Sequence, residues 1–269
     1  PCSEDITDLL AAFLGDIGYE SFTPDENGVT AFVKNEVFDE TLVNEILSDF
    51  PIPCKLSYTV SFVEGKDWNE EWEKHYFKPI LIDDVCVVHS SFHKDVPKAQ
   101  YDIVVDPKMA FGTGHHSTTL NMMRHILESD MEGKMVIDMG AGTGILGILC
   151  AMKGASSVVG IEIDPFACEN AVENAGLNNV PVSMICGDAS SLDEVQQADF
   201  FLANINRNVI TADIEKYVAS LKEGGTMFLS GFYTEDIPIV KNAAANVGLV
   251  YEGCKEDNNW VALRFVKSH

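Results

Sequence analysis

Val136-Ile-Asp-Met-Gly-Ala-Gly-Thr-Gly144 is the stretch on which the fold turns. An apolar run ends in an acid and is followed by glycine at every second position. This pattern predicts a buried parallel strand over 134–137, a Gly-rich turn, and a helix running to about Lys153. Glycine suits such a turn because it accepts positive φ and has no Cβ to keep a ligand off the backbone. The helix that follows aims its N-terminal amides at whatever sits there. The stretch therefore predicts a site for a nucleotide-type cofactor.

Two readings of the glycines compete. Gly142, Gly144 and Gly147 fit G-x-G-x-x-G, the dinucleotide fingerprint. Asp138, Gly140, Gly142 and Gly144 fit D-x-G-x-G-x-G, which resembles motif I of S-adenosylmethionine-dependent methyltransferases. An acid before the turn suits a cationic amino group and sulfonium and is a poor neighbour for pyrophosphate. The next expected strand, 157–163, brings Glu162 to a position where a carboxylate can accept ribose hydroxyls. Either cofactor would use Glu162, so Asp138 is the residue that discriminates.

From residue 118 the pattern alternates helices and strands, which predicts a mostly parallel doubly wound sheet. Helices are expected over 118–127, 145–153, 165–175, 209–221 and 236–247. Strands are expected over 134–137, 157–163, 182–186, 198–203, 226–230, 249–254 and 260–266. The last two strands have no helix between them and should form an antiparallel hairpin. One reversed strand at the end of a doubly wound sheet marks the methyltransferase variant of this fold. Three further strand-like runs precede it, at 78–82, 85–89 and 101–105.

The chain's first quarter reads differently. Ser3 is placed to cap a helix to about Asp16. Strands at 19–22 and 29–34 are joined by the turn Pro24-Asp-Glu-Asn-Gly28. A helix follows over 39–49, with Leu42, Val43, Ile46 and Leu47 inward, and then a strand over 54–63. With one more strand before Pro1 this order would be ferredoxin-like α+β. The expected organisation is a small domain at 1–64, a linker helix at 65–77 that stripes Trp68, Trp72, His75 and Tyr76 on one side, and a catalytic domain at 78–269.

Composition narrows the function. The net charge is -24 over 269 residues. Residues 1–64 hold 13 acids against 2 bases, a net -11, and so carry almost half the excess charge in under a quarter of the chain. Such a surface repels phosphate backbones and attracts basic proteins, so nucleic acid is not the expected direct partner. The longest apolar run, 145–152, is too short to cross a bilayer, and no basic-then-apolar leader opens the sequence. The 7 cysteines include no C-x-x-C pair, which fits a reducing cytoplasm.

The segment Asp106-Pro-Lys-Met-Ala-Phe-Gly-Thr-Gly-His-His-Ser-Thr-Thr119 resembles the signature of the ribosomal protein L-11 methyltransferases. Asp67-Trp68, Phe77-Lys-Pro-Ile80, Leu202-Ala-Asn-Ile-Asn206, Leu229-Ser-Gly-Phe232 and Trp260-Val-Ala-Leu263 are similar to further family segments. The resemblance implies an α/β fold with a seven-stranded methyltransferase sheet and S-adenosylmethionine as cofactor. It also implies transfer of methyl groups to lysine or N-terminal amines of a basic, large-subunit ribosomal protein. Carried over by position, Thr119, Gly140, Glu162 and Asn204 would contact the cofactor. The family usually has aspartate where this chain has Glu162, so the carboxylate is kept on a longer arm. Asp188 stands where many methyltransferases meet the adenine amino group. Transfer to another protein or to a small molecule is the alternative reading.

The residues can be read directly as well. Phe111 to Thr119 is too glycine-rich at its start for a helix interior, so it should be a cofactor-covering loop with a helix starting at Ser117 or Thr118. Phe111 is placed to cover the sulfonium or the target amine by cation–π attraction. Adjacent histidines rarely face one ion, so His115 and His116 predict no metal site, and His116 should pack structurally. Asn204, at a strand's carboxyl end, is the candidate catalytic residue. Its amide can accept the hydrogens of a neutral amine and aim the lone pair.

Overall fold

The computed structural model describes residues 6, 10, 13–15, 17–19, 21–25, 28–35, 37–48, 50, 52, 56–61, 78–108 and 110–268. The chain divides into two compact units, Pro1–Lys66 and Asp67–His269.

In the first unit, β1 (Ser21–Asp25) pairs antiparallel with β2 (Gly28–Phe32), from Ser21 opposite Phe32 to Asp25 opposite Gly28. The expected turn at 24–28 is therefore shorter, because Pro24 and Asp25 belong to the strand. Among the described residues this ribbon has two strands, both of them edges, where proline's missing N–H costs little. Helix α1 (Glu40–Ser48) opens with Asp39 Oδ1 accepting from Thr41 N at 2.8 Å. Val43 is buried, whereas Leu42, expected inward, is 39% exposed. Residues 56–61 form no strand, which removes most of the third strand expected at 54–63. Tyr58 instead donates to Asn44 Oδ1 on α1 at 3.1 Å. The expected linker helix at 65–77 and much of the first helix lie outside the described residues.

The described residues of the second unit hold two sheets. In the smaller one, β3 (Ile80–Ile82) pairs antiparallel with β4 (Cys86–His89), and β4 pairs parallel with β5 (Tyr101–Val104). The larger sheet is built from β6 (Met135–Met139), β7 (Ser157–Glu162), β8 (Ser183–Cys186), β9 (Ala198–Asn204), β10 (Leu221–Tyr233), β11 (Leu249–Asp257) and β12 (Trp260–Lys267). Their order is β11-β12-β10-β9-β6-β7-β8. Only β12 runs against its neighbours, as the sequence predicts, but it lies between β10 and β11 and not at the sheet's edge. Strand β10 is longer than the expected 226–230. It carries a bulge between Ser230 and Phe232 where Gly231 takes φ +100.

The helices connecting these strands are α2 (Ser117–Glu128), α3 (Ile145–Met152), α4 (Pro165–Leu177), α5 (Arg207–Ala219) and α6 (Ile237–Asn246). Asp164 caps α4 by accepting from Phe166 N at 2.9 Å, with Pro165 in the first turn. Strands covered on both faces need apolar residues of both parities. In β9, Phe201 and Ala203 join Ile210, Ile214 and Tyr217 of α5, while Phe200 and Leu202 join Met122, Ile126 and Leu149 on the opposite face. Phe228 is fully buried on that second face, and truncating it to alanine should cost ~3–5 kcal/mol.

Candidate active site

The chain steps from β6 outward through β7 to β8, then returns to β9 on the other side of β6. The junction of β6 and β9 is thus a topological switch point, where strand ends diverge and leave a crevice. Asp138, Glu162 and Asn204 lie at the carboxyl ends of β6, β7 and β9, and Asp188 follows β8.

The glycine turn closes against its surroundings by backbone contacts. Gly140, Gly142 and Gly144 have φ of +73, +54 and +80. Gly140 N donates to Ile161 O at 2.8 Å, tying the turn to β7. A Cβ on Gly142 would strike the carbonyl oxygen of Phe111, and one on Gly140 would strike Ile205. Gly147 serves packing: its N–H donates to Asp138 Oδ2 at 3.1 Å, and a Cβ there would press on Val158 at 3.1 Å.

Asp138 is buried, and its Oδ1 has no hydrogen-bond partner among the described residues. Burial pushes its carboxyl up to about 7; the Gly147 N–H pulls it down, and the nearby Glu162 charge raises it further. Glu162 is turned inward along the turn. Its Oε2 accepts from Gly142 N at 2.9 Å, and its Oε1 accepts from Ile163 N at 2.9 Å and Asp164 N at 3.1 Å. Asp188 is exposed, and its Oδ1 caps a short 3-10 turn by accepting from Ser190 N at 2.8 Å and Ser190 Oγ at 2.6 Å. Those Ser190 bonds, side chain first, hold the Asp188 carboxyl below its ordinary value.

Asn204 Nδ2 donates to Thr119 Oγ1 at 3.4 Å, and its Oδ1 is buried without a partner among the described residues. Thr119 itself is buried on α2. Beyond Asn204, Asn206 caps α5 by accepting from Asn208 N at 2.8 Å. The bulge glycine Gly231 lets β10 pass the Ile205 backbone, which a Cβ would strike.

Residues 110–116 of the covering loop meet the turn through their carbonyls. Phe111 O accepts from Thr143 N at 2.9 Å, and Gly112 O accepts from Thr143 Oγ1 at 2.6 Å. The Phe111 side chain is 57% exposed, its ring 5.5 Å from that of His116. His116 is the N-cap of α2, its Nδ1 accepting from Thr118 N at 3.3 Å, and its ring lies 4.7 Å from Trp260. His115 turns elsewhere, with Nε2 2.8 Å from Lys78 O.

The structure thus brings Asp138, Gly140, Gly142, Gly144 and Glu162 together around the turn and joins Asn204 to Thr119. Phe111 meets the turn through its carbonyl, while Asp188 stands on the exposed loop after β8. Sequence reasoning missed several supports. Arg207 pairs with Asp236, linking the segment after β9 to the one after β10. Ser117 donates to Asp257, which docks the β11–β12 turn on the start of α2. Asn170 and Asn174 tie α4 to the covering loop at Asp106, and Asn178 ties it to Val104 of β5. Their four-residue spacing in an alanine-rich helix was the available signal.

Comparison with known proteins places this geometry in context. The family model for ribosomal protein L11 methyltransferase (PrmA) matches residues 11–268. The chain is 44% identical over 268 residues to a protein of Phocaeicola vulgatus named ribosomal protein L11 methyltransferase, covering 99% of this chain and 95% of that one. It is 46% identical over 268 residues to the protein of that name from Bacteroides fragilis, covering 99% and 96%. A crystal structure of ribosomal protein L11 methylase from Lactobacillus delbrueckii subsp. bulgaricus aligns with TM-score 0.66 at 26% identity, covering 72% of this chain and all of that one.

Proposed function

The chain belongs to the ribosomal protein L11 methyltransferase family, and on that premise we propose that it transfers methyl groups from S-adenosylmethionine to lysine or N-terminal amino groups of ribosomal protein L11. The observation that carries this reading is a pair of buried oxygens without partners among the described residues, Asp138 Oδ1 and Asn204 Oδ1, on neighbouring strands β6 and β9. Buried polar atoms ordinarily have partners, so two without them in one crevice fit a ligand that supplies donors.

The cofactor would bring an activated methyl group on a sulfonium. Each part of the pocket suits one of its groups. The Asp138 carboxylate is placed for the cationic amino group. Gly140, Gly142 and Gly144 take the positive φ that the turn needs and let Ile205, the Phe111 carbonyl and Ala171 pack closely against it. Glu162 offers its carboxylate to the ribose hydroxyls and must release Gly142 N–H in part to do so. Asp188 offers an acceptor to the adenine amino group, and Phe111 covers the sulfonium or the target amine.

Asn204 acts on the substrate. A lysine amine has an ordinary pKa near 10.4, so on the order of one in a thousand is neutral at pH 7. Entry into an apolar crevice lowers that value. With its Nδ2 held by Thr119, Asn204 presents Oδ1 to an amine hydrogen and aims the lone pair at the methyl group. The proton leaves before transfer, and alignment then supplies most of the acceleration. The acidic unit at 1–64 is the proposed recognition element for a basic substrate, with its charge speeding encounter. No helix among the described residues is long and apolar enough to cross a membrane.

The test offers labelled S-adenosylmethionine with purified L11, other ribosomal proteins and ribosomal RNA in parallel. Label confined to L11 is expected. Label in RNA, or none in L11 despite cofactor binding, overturns the substrate assignment. Label in a different protein would favour the alternative of another acceptor for the same pocket.

A further inference from the structure

Asn170, Asn174 and Asn178 follow one another at four-residue spacing along α4 and its C-cap, so three carboxamides share one face. Asn170 and Asn174 are 2% and 0% exposed. Burying a carboxamide is unfavourable unless its oxygen and nitrogen find partners, and here both sides are used. Asn178 holds Val104 twice, accepting from its N–H at 2.8 Å and donating to its carbonyl at 2.7 Å. Asn170 donates to Asp106 O at 2.7 Å. The asparagines thus stand in for a strand along the open side of β5.

Asn174 does something its neighbours do not. Its Oδ1 accepts from Asp106 N at 3.0 Å, and its Nδ2 donates to Thr143 O at 3.0 Å. One amide therefore joins the base of the covering loop to the glycine turn. Thr143 completes a circuit by holding Phe111 O and Gly112 O, farther along the same loop. The circuit Asp106–Asn174–Thr143–Phe111 is closed by hydrogen bonds and flanked by the Lys108–Glu173 ion pair at 2.5 Å.

We infer that Asn174 is a positioning residue that locks the covering loop and the glycine turn into one arrangement, so that the turn meets its cofactor preorganised. The inference rests on the reading that turn and loop together hold S-adenosylmethionine. Only a side chain with an acceptor and a donor at this reach serves both partners. Leucine would strand Asp106 N–H and Thr143 O.

The test compares Asn174→Leu with Asn178→Leu in the full chain, well below either melting temperature. Asn178 belongs to the same ladder but bonds to Val104 of β5 and to the Asn174 carbonyl, not to Asp106 or the glycine turn, so it reports the structural contribution of the ladder. Two readings are taken: S-adenosylhomocysteine affinity by calorimetry, and amide hydrogen exchange of residues 107–116 in the ligand-free protein. Asn174→Leu should weaken binding about tenfold or more and speed loop exchange by a similar factor. Asn178→Leu should hold both within about twofold of the wild type even where its melting temperature falls as far. Equal affinities in the two variants, or loop exchange in Asn174→Leu unchanged from wild type, would overturn the inference. If Asn174→Leu fails to fold, Asn174→Ser, which is polar but too short to span both partners, gives the same two readings. Wild-type protein that binds no S-adenosylhomocysteine would strike the proposed function. The ligand-free exchange comparison would still decide the role of Asn174.

Discussion

Replacing Asp138 with asparagine separates two effects of one buried carboxylate. In the ligand-free protein the group titrates at about 7 against an ordinary 3.8, chiefly through burial. Because the folded state binds this proton more tightly than the unfolded chain, stability from this group falls as pH rises from about 4 to about 7. The gap between 3.8 and about 7, at ~1.4 kcal/mol per pH unit, is on the order of 4 kcal/mol given up by pH 8. Asparagine keeps an oxygen for the Gly147 N–H and removes the charge, although its new NH2 group needs a partner. Ligand-free Asp138→Asn should therefore be more stable than wild type at pH 8, by roughly 1–3 kcal/mol after that offset, and no more stable at pH 4.5. Cofactor binding should move the opposite way. Losing a charge-assisted bond to the amino group costs ~1.5–3 kcal/mol, or about tenfold to a hundredfold in Kd. Wild-type affinity should rise with pH through about 7, as the carboxylate forms, and the variant's should not. Denaturant midpoints at the two pH values and calorimetric titration with S-adenosylhomocysteine give both halves. A variant less stable at pH 8, or one that binds within about twofold of wild type, would refute the reasoning.

Other perturbations follow from the same structure. Gly142→Ala must hold φ +54 and push against Phe111 O, so it should abolish measurable cofactor binding and lower stability by at least ~1–2 kcal/mol, read by calorimetry and thermal melting. Burial lowers the pKa of His125 and keeps it neutral, its ring stacked on Phe228. The stability this contributes is complete above its unfolded value and is lost as pH falls below about 6.5. His125→Phe should flatten the denaturant midpoint between pH 7.5 and 5.5, and an unchanged slope would remove His125 as its source. Neutralising the exposed Asp39 and Glu40 to Asn and Gln should raise the KM for L11 and weaken its salt dependence, with S-adenosylhomocysteine affinity unchanged. A KM indifferent to both substitution and salt would exclude electrostatic capture by that part of the surface.

The parts of the fold that the sequence made legible are those set by local chemistry. An apolar run, an acid and alternating glycines specify β6, its turn and α3 with no help from distant residues. The doubly apolar β9 likewise announces a strand covered on both faces, with Asn204 at its end. Pairing across the sheet is another matter. The hairpin of β11 and β12 was evident, but its turn does not say which of the two strands pairs with β10. The insertion of β12 shows that the apolar β12, buried on both sides at Val261, Ala262 and Leu263, takes the inner place, while alternating β11 takes the edge. In the smaller unit, residues 56–61 alternate like a strand yet form none, and Tyr58 hydrogen-bonds to α1. Local pattern gave no sign of that. The site shows the same division: its acids and glycines could be read off, whereas Arg207–Asp236, Ser117–Asp257 and the Asn174 bridge join residues between 29 and 140 positions apart.

Transfer to an amine aligned by Asn204 is tested most directly by mapping the label on L11 after reaction with wild-type enzyme and with Asn204→Ala. With wild type, label should appear on lysine or N-terminal amines. With Asn204→Ala the rate should fall by at least about a hundredfold while S-adenosylhomocysteine binds within a few-fold of wild type. Label on any other functional group, or a variant that transfers at the wild-type rate, would contradict the account.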